Sequence, residues 1–298
     1  MKQTAFSSDE RVAASPQLAV SPVPLFDAYA PAEVAKRVRD IGVAKAAASV
    51  PTMLALAVLA GAFIALGALF FTVTITAGSA QSPHFGLIRL AGGVTFSLGL
   101  ILVVVGGAEL FTGNNLLAMA WASGRVTTVH VLRNWGWVYA GNLLGAVGTA
   151  VLVWLAGIQT LSDGAVGETM VRIARAKVSL DPITALARGI LCNALVCLAV
   201  WLCMAARSVA DKILAILFPI SAFVACGFEH SVANLYFLPM GLLLTASGAA
   251  PMSFAGAAAN LALVTVGNIL GGTLLVALVY WSVYLRQDRA AKPEPGGS

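Results

Sequence analysis

Apolar runs of about twenty residues recur along the chain, and each is long enough to cross roughly 30 Å of membrane hydrocarbon. Of the 298 residues, 59% are apolar and only 10% are charged, compared with roughly 25% charged in ordinary soluble domains. The sequence therefore predicts an all-α membrane protein that crosses the bilayer several times. The apolar runs place six transmembrane helices at residues 52–77, 91–122, 135–158, 185–206, 213–246 and 258–285.

The segments that flank the spans predict the orientation. Residues 1–51 lack the early apolar run of a cleavable signal peptide, so we expect this segment to be retained in the cytoplasm. With both termini inside, five of the 18 lysines and arginines lie on the outer side and the other thirteen lie in the cytoplasm. This excess predicts a multi-pass protein of the plasma (inner) membrane, with residues 286–298 as a cytoplasmic tail. The five outer residues are Arg89, Arg172, Arg175, Lys177 and Arg188.

The second and fifth predicted spans are longer than a membrane requires, and each is interrupted. Gly106–Gly107 and the polar stretch Thr112–Asn115 interrupt the second span, and Gly227 interrupts the fifth between Pro219 and Pro239. Broken helices at membrane depth are tolerated only where their free backbone groups line a cavity or pack within protein. The interruptions therefore predict a cavity or a protein-packed site within the membrane.

An internal repeat relates the two interrupted spans. The motif GNLLG at 141–145 in the third span matches GNILG at 267–271 in the sixth, and Glu109 and Glu229 lie at matching places in the second and fifth. Two halves of three spans each would be inverted relative to one another in the membrane. Paired interruptions in inverted halves indicate a translocation site near the midplane, although the glycine motifs alone are also typical of ordinary helix packing.

His230 is the histidine that these boundaries place within a span, because His84 and His130 fall in connections. Its ordinary pKa of about 6.5 allows it to gain or lose a proton under physiological conditions. The position beside a helix break favours a functional role over that of a buried histidine bonded to a neighbouring carbonyl. For Glu109 and Glu229 we expect a structural role, in which the carboxylates accept hydrogen bonds from backbone N–H groups freed by the breaks; the alternative is a proton relay.

Other residues near the breaks are candidates for lining a pathway. Thr112 and the backbone around it can donate hydrogen bonds to a small anion, and Asn193 is an amide that requires a partner or a pore. Four bulky apolar residues near the breaks could form hydrophobic constrictions or simply pack in the core. They are Phe96, Leu100, Leu110 and Phe223.

Several other classes of protein are disfavoured. No HExxH, GxSxG or Walker motif occurs, so we expect neither an enzyme nor a cofactor, and the two NPA motifs of water and glycerol channels are missing. The net charge of +5 is attributed to membrane orientation and not to nucleic acid binding. The four cysteines lie in apolar segments without CxxC spacing, which predicts packing roles with no disulfide and no metal. They are Cys192, Cys197, Cys203 and Cys226.

Six strings identify a resemblance that covers residues 25–287: GAELFTGNNLLAMAWASGRV, NWGWVYAGNLLGA, GILCNALVCLAVW, FVACGFEHSVANLYFLPMG, VTVGNILGG and YWSVYLR. They resemble the formate/nitrite transporter family, and most closely its formate channels. The resemblance implies a homopentamer with one pore in each chain and an aquaporin-like fold of six helices. It also implies a central histidine at His230, and a pore threonine and asparagine at Thr112 and Asn193. The constrictions would lie at Phe96, Leu100, Leu110 and Phe223, and the vestibule lysines would be Lys45 inside and Lys177 outside.

The expected function is therefore transmembrane transport of formate, coupled to protons through His230. The lysines at the two mouths would concentrate the anion, and protonation at the midplane would lower the cost of desolvating it. Nitrite is an alternative substrate, because the loop string ELFTGN is closer to the nitrite-type members of the family, and hydrosulfide is a third. The alternatives outside the family are a non-conducting membrane scaffold and a neutral-solute channel.

Residues 32–48 alternate apolar and charged positions at helical spacing. The pattern predicts an amphipathic helix whose basic residues lie against anionic headgroups on the cytoplasmic face; an ordinary soluble helical tail is the alternative. This helix leads directly into the first span, so it could either gate the cytoplasmic mouth beside Lys45 or act as a static anchor.

Overall fold

The computed structural model describes residues 27–76, 82–246 and 250–286, and over these ranges every regular element is helical. Two short 3-10 helices (Gly113–Leu117 and Ile158–Thr160) and one π-helical segment (Gly271–Leu278) accompany eleven α-helices. The α-helices are α1 (Pro31–Ala47), α2 (Val50–Ile75), α3 (Phe85–Gly106), α4 (Ala118–Ala122), α5 (Thr128–Leu155), α6 (Ala165–Val178), α7 (Pro182–Ala205), α8 (Val209–Ala225), α9 (Ser231–Thr245), α10 (Phe254–Leu270) and α11 (Val279–Tyr284).

Five helices of the described chain are long and apolar enough to cross a membrane: α2, α3, α5, α7 and the continuous run Phe254–Tyr284 that contains α10 and α11. The predicted fifth span is divided between α8 and α9, and α9 is apolar but only 15 residues long. The predicted break in the second span is confirmed, since α3 ends at Gly106 and helical structure resumes at Gly113. The described residues thus form an all-helical body whose long apolar helices can cross a membrane.

Side-chain caps set where several helices begin. The hydroxyl of Thr127 accepts a hydrogen bond from the backbone N–H of His130, so α5 begins at Thr128 and not at the predicted residue 135. The apolar run predicted too late a start for this helix because its first turns contain polar residues. His130 was therefore wrongly assigned to a connection. It lies in the first turn of α5, where its side chain is exposed.

Helix α6 was not predicted, and residues 165–178 were assigned to a connection. Its apolar residues recur at intervals of four, with Val166, Met170 and Ala174 buried. Ala174 lies against Gly241 of α9, which leaves no room for a side chain on that glycine. The low overall hydropathy of this helix concealed it, because an amphipathic helix that packs on a body need not be long or apolar throughout.

The repeated glycine motifs are positions of close helix contact. Helix α2 packs on α3 and α5, and α7 packs on α8 and α10. A Cβ atom on Gly145 would collide with the carbonyl oxygen of Val58, and one on Gly271 would collide with that of Ile190. The two motifs therefore hold α2 against α5, and α7 against the end of α10, at backbone-to-backbone distance.

Helix α1 forms as predicted and lies against the helical body through one face, where Val34, Val38 and Ala46 are buried. Ahead of it, the ring of Tyr29 contacts two guanidinium groups, those of Arg37 at 3.9 Å and Arg207 at 4.2 Å from the ring centre. Such cation–π contacts, together with the buried face, fasten the segment to the body.

The cysteines do not all pack as expected. Cys192, Cys197 and Cys203 are buried, but Cys226 is exposed in the single chain because it follows the last turn of α8 at the second break.

Candidate functional site

Two breaks, at residues 107–112 and 226–230, bring the predicted site residues together. Each break contains one glycine in the left-handed region, Gly107 with φ of 78° and Gly227 with φ of 73°. Side chains other than glycine rarely adopt this conformation. The two glycines end α3 and α8 and turn the chain back into the body.

His230 caps α9 and contacts the other break. Its Nδ1 accepts a hydrogen bond of 3.0 Å from the backbone N–H of Ala233, and its Nε2 lies 3.0 Å from Oγ1 of Thr112. Both residues are buried, with exposed fractions of 3% and 0%. Because a backbone N–H can only donate, Nδ1 carries no proton here. The imidazole is therefore neutral, and the proton on Nε2 is donated to the threonine hydroxyl.

Asn193 lies beside this pair, but its side chain bonds to protein. Its Nδ2 lies 3.2 Å from the carbonyl oxygen of Thr112, 3.0 Å from Oδ1 of Asn115 and 2.7 Å from the carbonyl oxygen of Asn268. The side chain lines neither of the two cavities described below. In this geometry Asn193 links the first break to α10, whereas the family resemblance implied a pore-facing amide.

The two glutamates each pair with a predicted vestibule lysine. Lys45 Nζ lies 2.9 Å from Oε1 of Glu109, and Lys177 Nζ lies 3.0 Å from each carboxylate oxygen of Glu229. The expected hydrogen bonds from backbone N–H groups to these carboxylates are not found among the described residues, so that assignment was wrong. A largely buried carboxylate requires a full compensating charge, which a lysine provides and a single N–H group does not.

Asparagines complete both ion pairs in the same way. Asn114 Nδ2 donates to Glu109 at 2.6 Å and to Asn134 at 2.9 Å. Asn234 Nδ2 donates to Glu229 at 2.7 Å and to Asn260 at 2.8 Å. The sequence analysis did not identify these four asparagines. Their only sequence signal is position: two of them lie beside a break, and the other two lie eight residues before the asparagine of a GNxLG motif.

The asparagines of the GNxLG motifs satisfy the freed backbone groups. Asn142 Oδ1 accepts from the N–H of Phe111, and its Nδ2 donates to the carbonyl of Glu109. Asn268 Oδ1 likewise accepts from the N–H of Ser231, and its Nδ2 donates to the carbonyl of Glu229. The side-chain amide, which both donates and accepts, thus performs the task that the sequence analysis gave to the carboxylates.

Two cavities of about 220 Å³ each lie beside the breaks. The first, here called the α1 cavity, is lined by Lys45, Glu109 and two of the predicted constriction residues, Leu100 and Leu110. The second, the α6 cavity, is lined by Lys177, Glu229, His230 and the other two, Phe96 and Phe223. It is further lined by Phe71, Phe237, Arg89 and Arg188, which the sequence analysis did not select.

Aromatic rings connect the α6 cavity to the histidine. The ring centres of Phe96 and Phe223 are 5.5 Å apart at 82°, and Phe223 lies 5.9 Å from the imidazole of His230 at 22°. Phe71 contacts Phe96 edge-on at 6.3 Å. These contacts hold the rings in fixed positions around the cavity wall.

Residues 32–282 match the family model described as formate/nitrite transporter. The chain belongs to the formate/nitrite transporter family. It is 43% identical over 278 residues to the formate channel FocA of Escherichia coli (strain K12), covering 88% of this chain and 97% of that protein.

Solved structures of formate/nitrite transporters resemble the fold. A pentameric formate channel with formate bound superposes with a TM-score of 0.71 at 38% identity, covering 80% of this chain and 98% of that one. An FNT family ion channel superposes with a TM-score of 0.75 at 29% identity, covering 84% and 98%. Members of this family are channels and transporters, and the protein is accordingly a membrane transporter and not an enzyme.

Proposed function

We propose that the protein transports formate, and that each chain of a homopentamer contains its own pore. The observation that carries this proposal is the pair of cavities, each with a lysine–glutamate pair, together with the buried contact of Thr112 with His230, which lines the α6 cavity. The formate channels among the relatives support formate as the substrate, and the similar structure of a pentameric formate channel supports the assembly.

In the proposed arrangement the protein lies in the inner membrane and crosses it six times, in two inverted halves. Both termini are in the cytoplasm. The repeated contacts support this arrangement. In each half a lysine pairs with the glutamate of the break, and an asparagine side chain donates to the backbone carbonyl of that glutamate. These residues are Lys45, Glu109 and Asn142 in the first half and Lys177, Glu229 and Asn268 in the second. Helix α6 then takes the place in the second half that α1 takes in the first. In this arrangement the α1 cavity opens to the cytoplasm and the α6 cavity opens outward.

The narrow region between the cavities sets the cost of crossing. Phe96, Leu100, Leu110 and Phe223 are each only 2–3% exposed, so a permeating anion would exchange water for apolar walls there. An unpaired charge pays heavily for this transfer, whereas neutral formic acid pays little. The lysines in the cavities raise the local anion concentration on both sides.

Proton transfer from His230 requires a local rearrangement. A neutral imidazole is too weak an acid to protonate formate, so the ring must first gain a second proton at Nδ1. That proton would displace the N–H of Ala233, which now occupies Nδ1. The imidazolium would then transfer its Nε2 proton to a formate oxygen, giving formic acid and neutral imidazole. Proton-coupled transport in this scheme accompanies release of the α9 cap.

Osmotic swelling of proteoliposomes tests the function. We expect rapid swelling in ammonium or sodium formate and little in glycerol, with nitrite, acetate and hydrosulfide compared in parallel. A scaffold would give no swelling in any solute, and a neutral pore would admit glycerol without formate. Swelling in nitrite but not in formate would support the family while contradicting the substrate.

A further inference from the structure

The two cavities have equal volume and equivalent lysine–glutamate pairs, but their charge differs. The residues that line the α1 cavity include one basic and one acidic side chain, Lys45 and Glu109. Those that line the α6 cavity include three basic side chains, Arg89, Lys177 and Arg188, and the single acidic Glu229. With His230 neutral, the α6 cavity carries an excess of two positive charges, and the α1 cavity carries none.

Arg188 has no counterpart charge in the other half, and none of the described residues pairs with its side chain. The backbone N–H of Glu229 donates to the carbonyl of Arg188, and the N–H of Glu109 donates in the same way to Leu56. A leucine therefore stands where the second half has an arginine. The Arg188 guanidinium has no hydrogen bond or ion pair to any residue in the described ranges, and it lines the cavity.

Arg89 is held in place by the end of α8. Its Nε donates to the carbonyl of Ala225 at 3.0 Å, and its Nη2 donates to that of Val224 at 2.5 Å. These two contacts use part of a group that has five N–H donors. Within the described ranges no carboxylate pairs with the Arg89 guanidinium, and Glu229, which lines the same cavity, is already paired with Lys177.

We infer that the α6 cavity contains a binding site for a small divalent oxyanion, formed by Arg89 and Arg188, whose occupation blocks transport. Two guanidinium groups match the charge and planar oxygen geometry of a dianion such as a short dicarboxylate. Such an ion cannot follow formate past Phe96 and Phe223, because transfer of one proton still leaves it charged. It therefore occupies the cavity and excludes the permeating monoanion.

Oxalate, a short dicarboxylate, is a suitable probe. Its effect on transport can be measured only if the protein transports formate, so this part of the test rests on the proposed function. We expect oxalate on both sides of proteoliposomes to inhibit labelled-formate flux competitively. Arg188→Leu, which reproduces Leu56, is expected to weaken inhibition by about tenfold or more while formate affinity changes only a few-fold, because the Coulomb energy scales with ligand charge. Arg172→Leu is the matched control, since it removes an arginine from α6 that does not line this cavity.

Direct binding separates this inference from the proposed function. Calorimetric titration of the purified oligomer in nanodiscs with oxalate is expected to show binding that Arg188→Leu weakens about tenfold and Arg172→Leu leaves unchanged. Absence of oxalate binding, or equal binding by wild type and Arg188→Leu, would overturn the site. If oxalate binds as expected and formate does not cross, the transport proposal fails while the dianion site stands. Inhibition that is identical in wild type and both variants would place the blocking site elsewhere.

Discussion

Replacing His230 by asparagine and by alanine separates the two roles that the imidazole has in the structure. Nδ1 caps α9 through Ala233, and Nε2 contacts Thr112. The Oδ1 atom of asparagine can occupy nearly the position of Nδ1, and asparagine is a favoured N-cap residue. His230→Asn therefore keeps the cap and loses the threonine contact, whereas His230→Ala loses both.

The expected costs follow from the two hydrogen bonds. Loss of an N-cap costs about 1 kcal/mol, and loss of a hydrogen bond to a buried hydroxyl costs about another 1 kcal/mol. We expect His230→Asn to lower the free energy of unfolding by about 1 kcal/mol and His230→Ala by about 2 kcal/mol or more, since alanine also leaves a larger cavity. Thermal unfolding of the purified oligomer in detergent would rank the three proteins.

Transport by the same variants tests the role of the proton. Neither side chain can carry a proton as imidazolium does, so both variants are expected to lose the rise in formate uptake on acidification that a proton-donating histidine confers. Both are expected to keep the pentamer, with passive anion leak changed far less. If His230→Asn transports formate at low pH as wild type does, His230 is a helix cap and not a proton donor.

Three further changes test other parts of the molecule. Replacing Phe96 and Phe223 together by alanine should relax selectivity toward larger monocarboxylates, because two rings are removed from the cavity wall; an unchanged formate-to-acetate flux ratio would place the selectivity filter elsewhere. Glu229→Gln should be more destabilising than Glu109→Gln, since the Glu229 side chain is 6% exposed and that of Glu109 is 12%, and an unpaired buried lysine costs about 3–5 kcal/mol; equal melting temperatures would contradict this. Deletion of residues 1–44 removes most of the buried face of α1 and should impair assembly while the surviving oligomer keeps its pH profile. Loss of pH dependence in a fully assembled oligomer would indicate gating instead, and normal assembly with a wild-type profile would exclude both roles.

The sequence predicted those features of the fold that depend on local pattern. Continuous apolar runs located the long helices, and glycine within such runs located the breaks at Gly107 and Gly227. The contact between Thr112 and His230 could be anticipated only as proximity, from two interruptions in a repeated pattern. Their hydrogen bond joins residues 118 positions apart, which no local periodicity specifies.

The pairing of charges was not predictable in the same way. Lys45 was identified as a vestibule residue and Glu109 as an acceptor for backbone N–H groups, but the ion pair between them was not predicted. Nothing in the sequence places α1 against the first break. The partner of Glu229 was hidden for a related reason. Lys177 lies in α6, an amphipathic helix that hydropathy alone assigns to a connection. Correct identification of this helix would have extended the internal repeat from three to four helical elements in each half.

Chemical modification of the α1 cavity tests the central proposal, that formate crosses each chain through the two cavities. Val104 lines the α1 cavity, whereas the neighbouring Val105 is 42% exposed and does not. In a Cys226→Ser background, which removes the exposed native thiol, Val104→Cys and Val105→Cys would be reconstituted and treated with a small methanethiosulfonate reagent. We expect complete modification to abolish labelled-formate flux through Val104→Cys and to leave flux through Val105→Cys unchanged. Formate in the reaction is expected to slow the modification of Val104→Cys and not that of Val105→Cys. Full flux through Val104→Cys protein shown by mass spectrometry to be completely modified would contradict a path through this cavity.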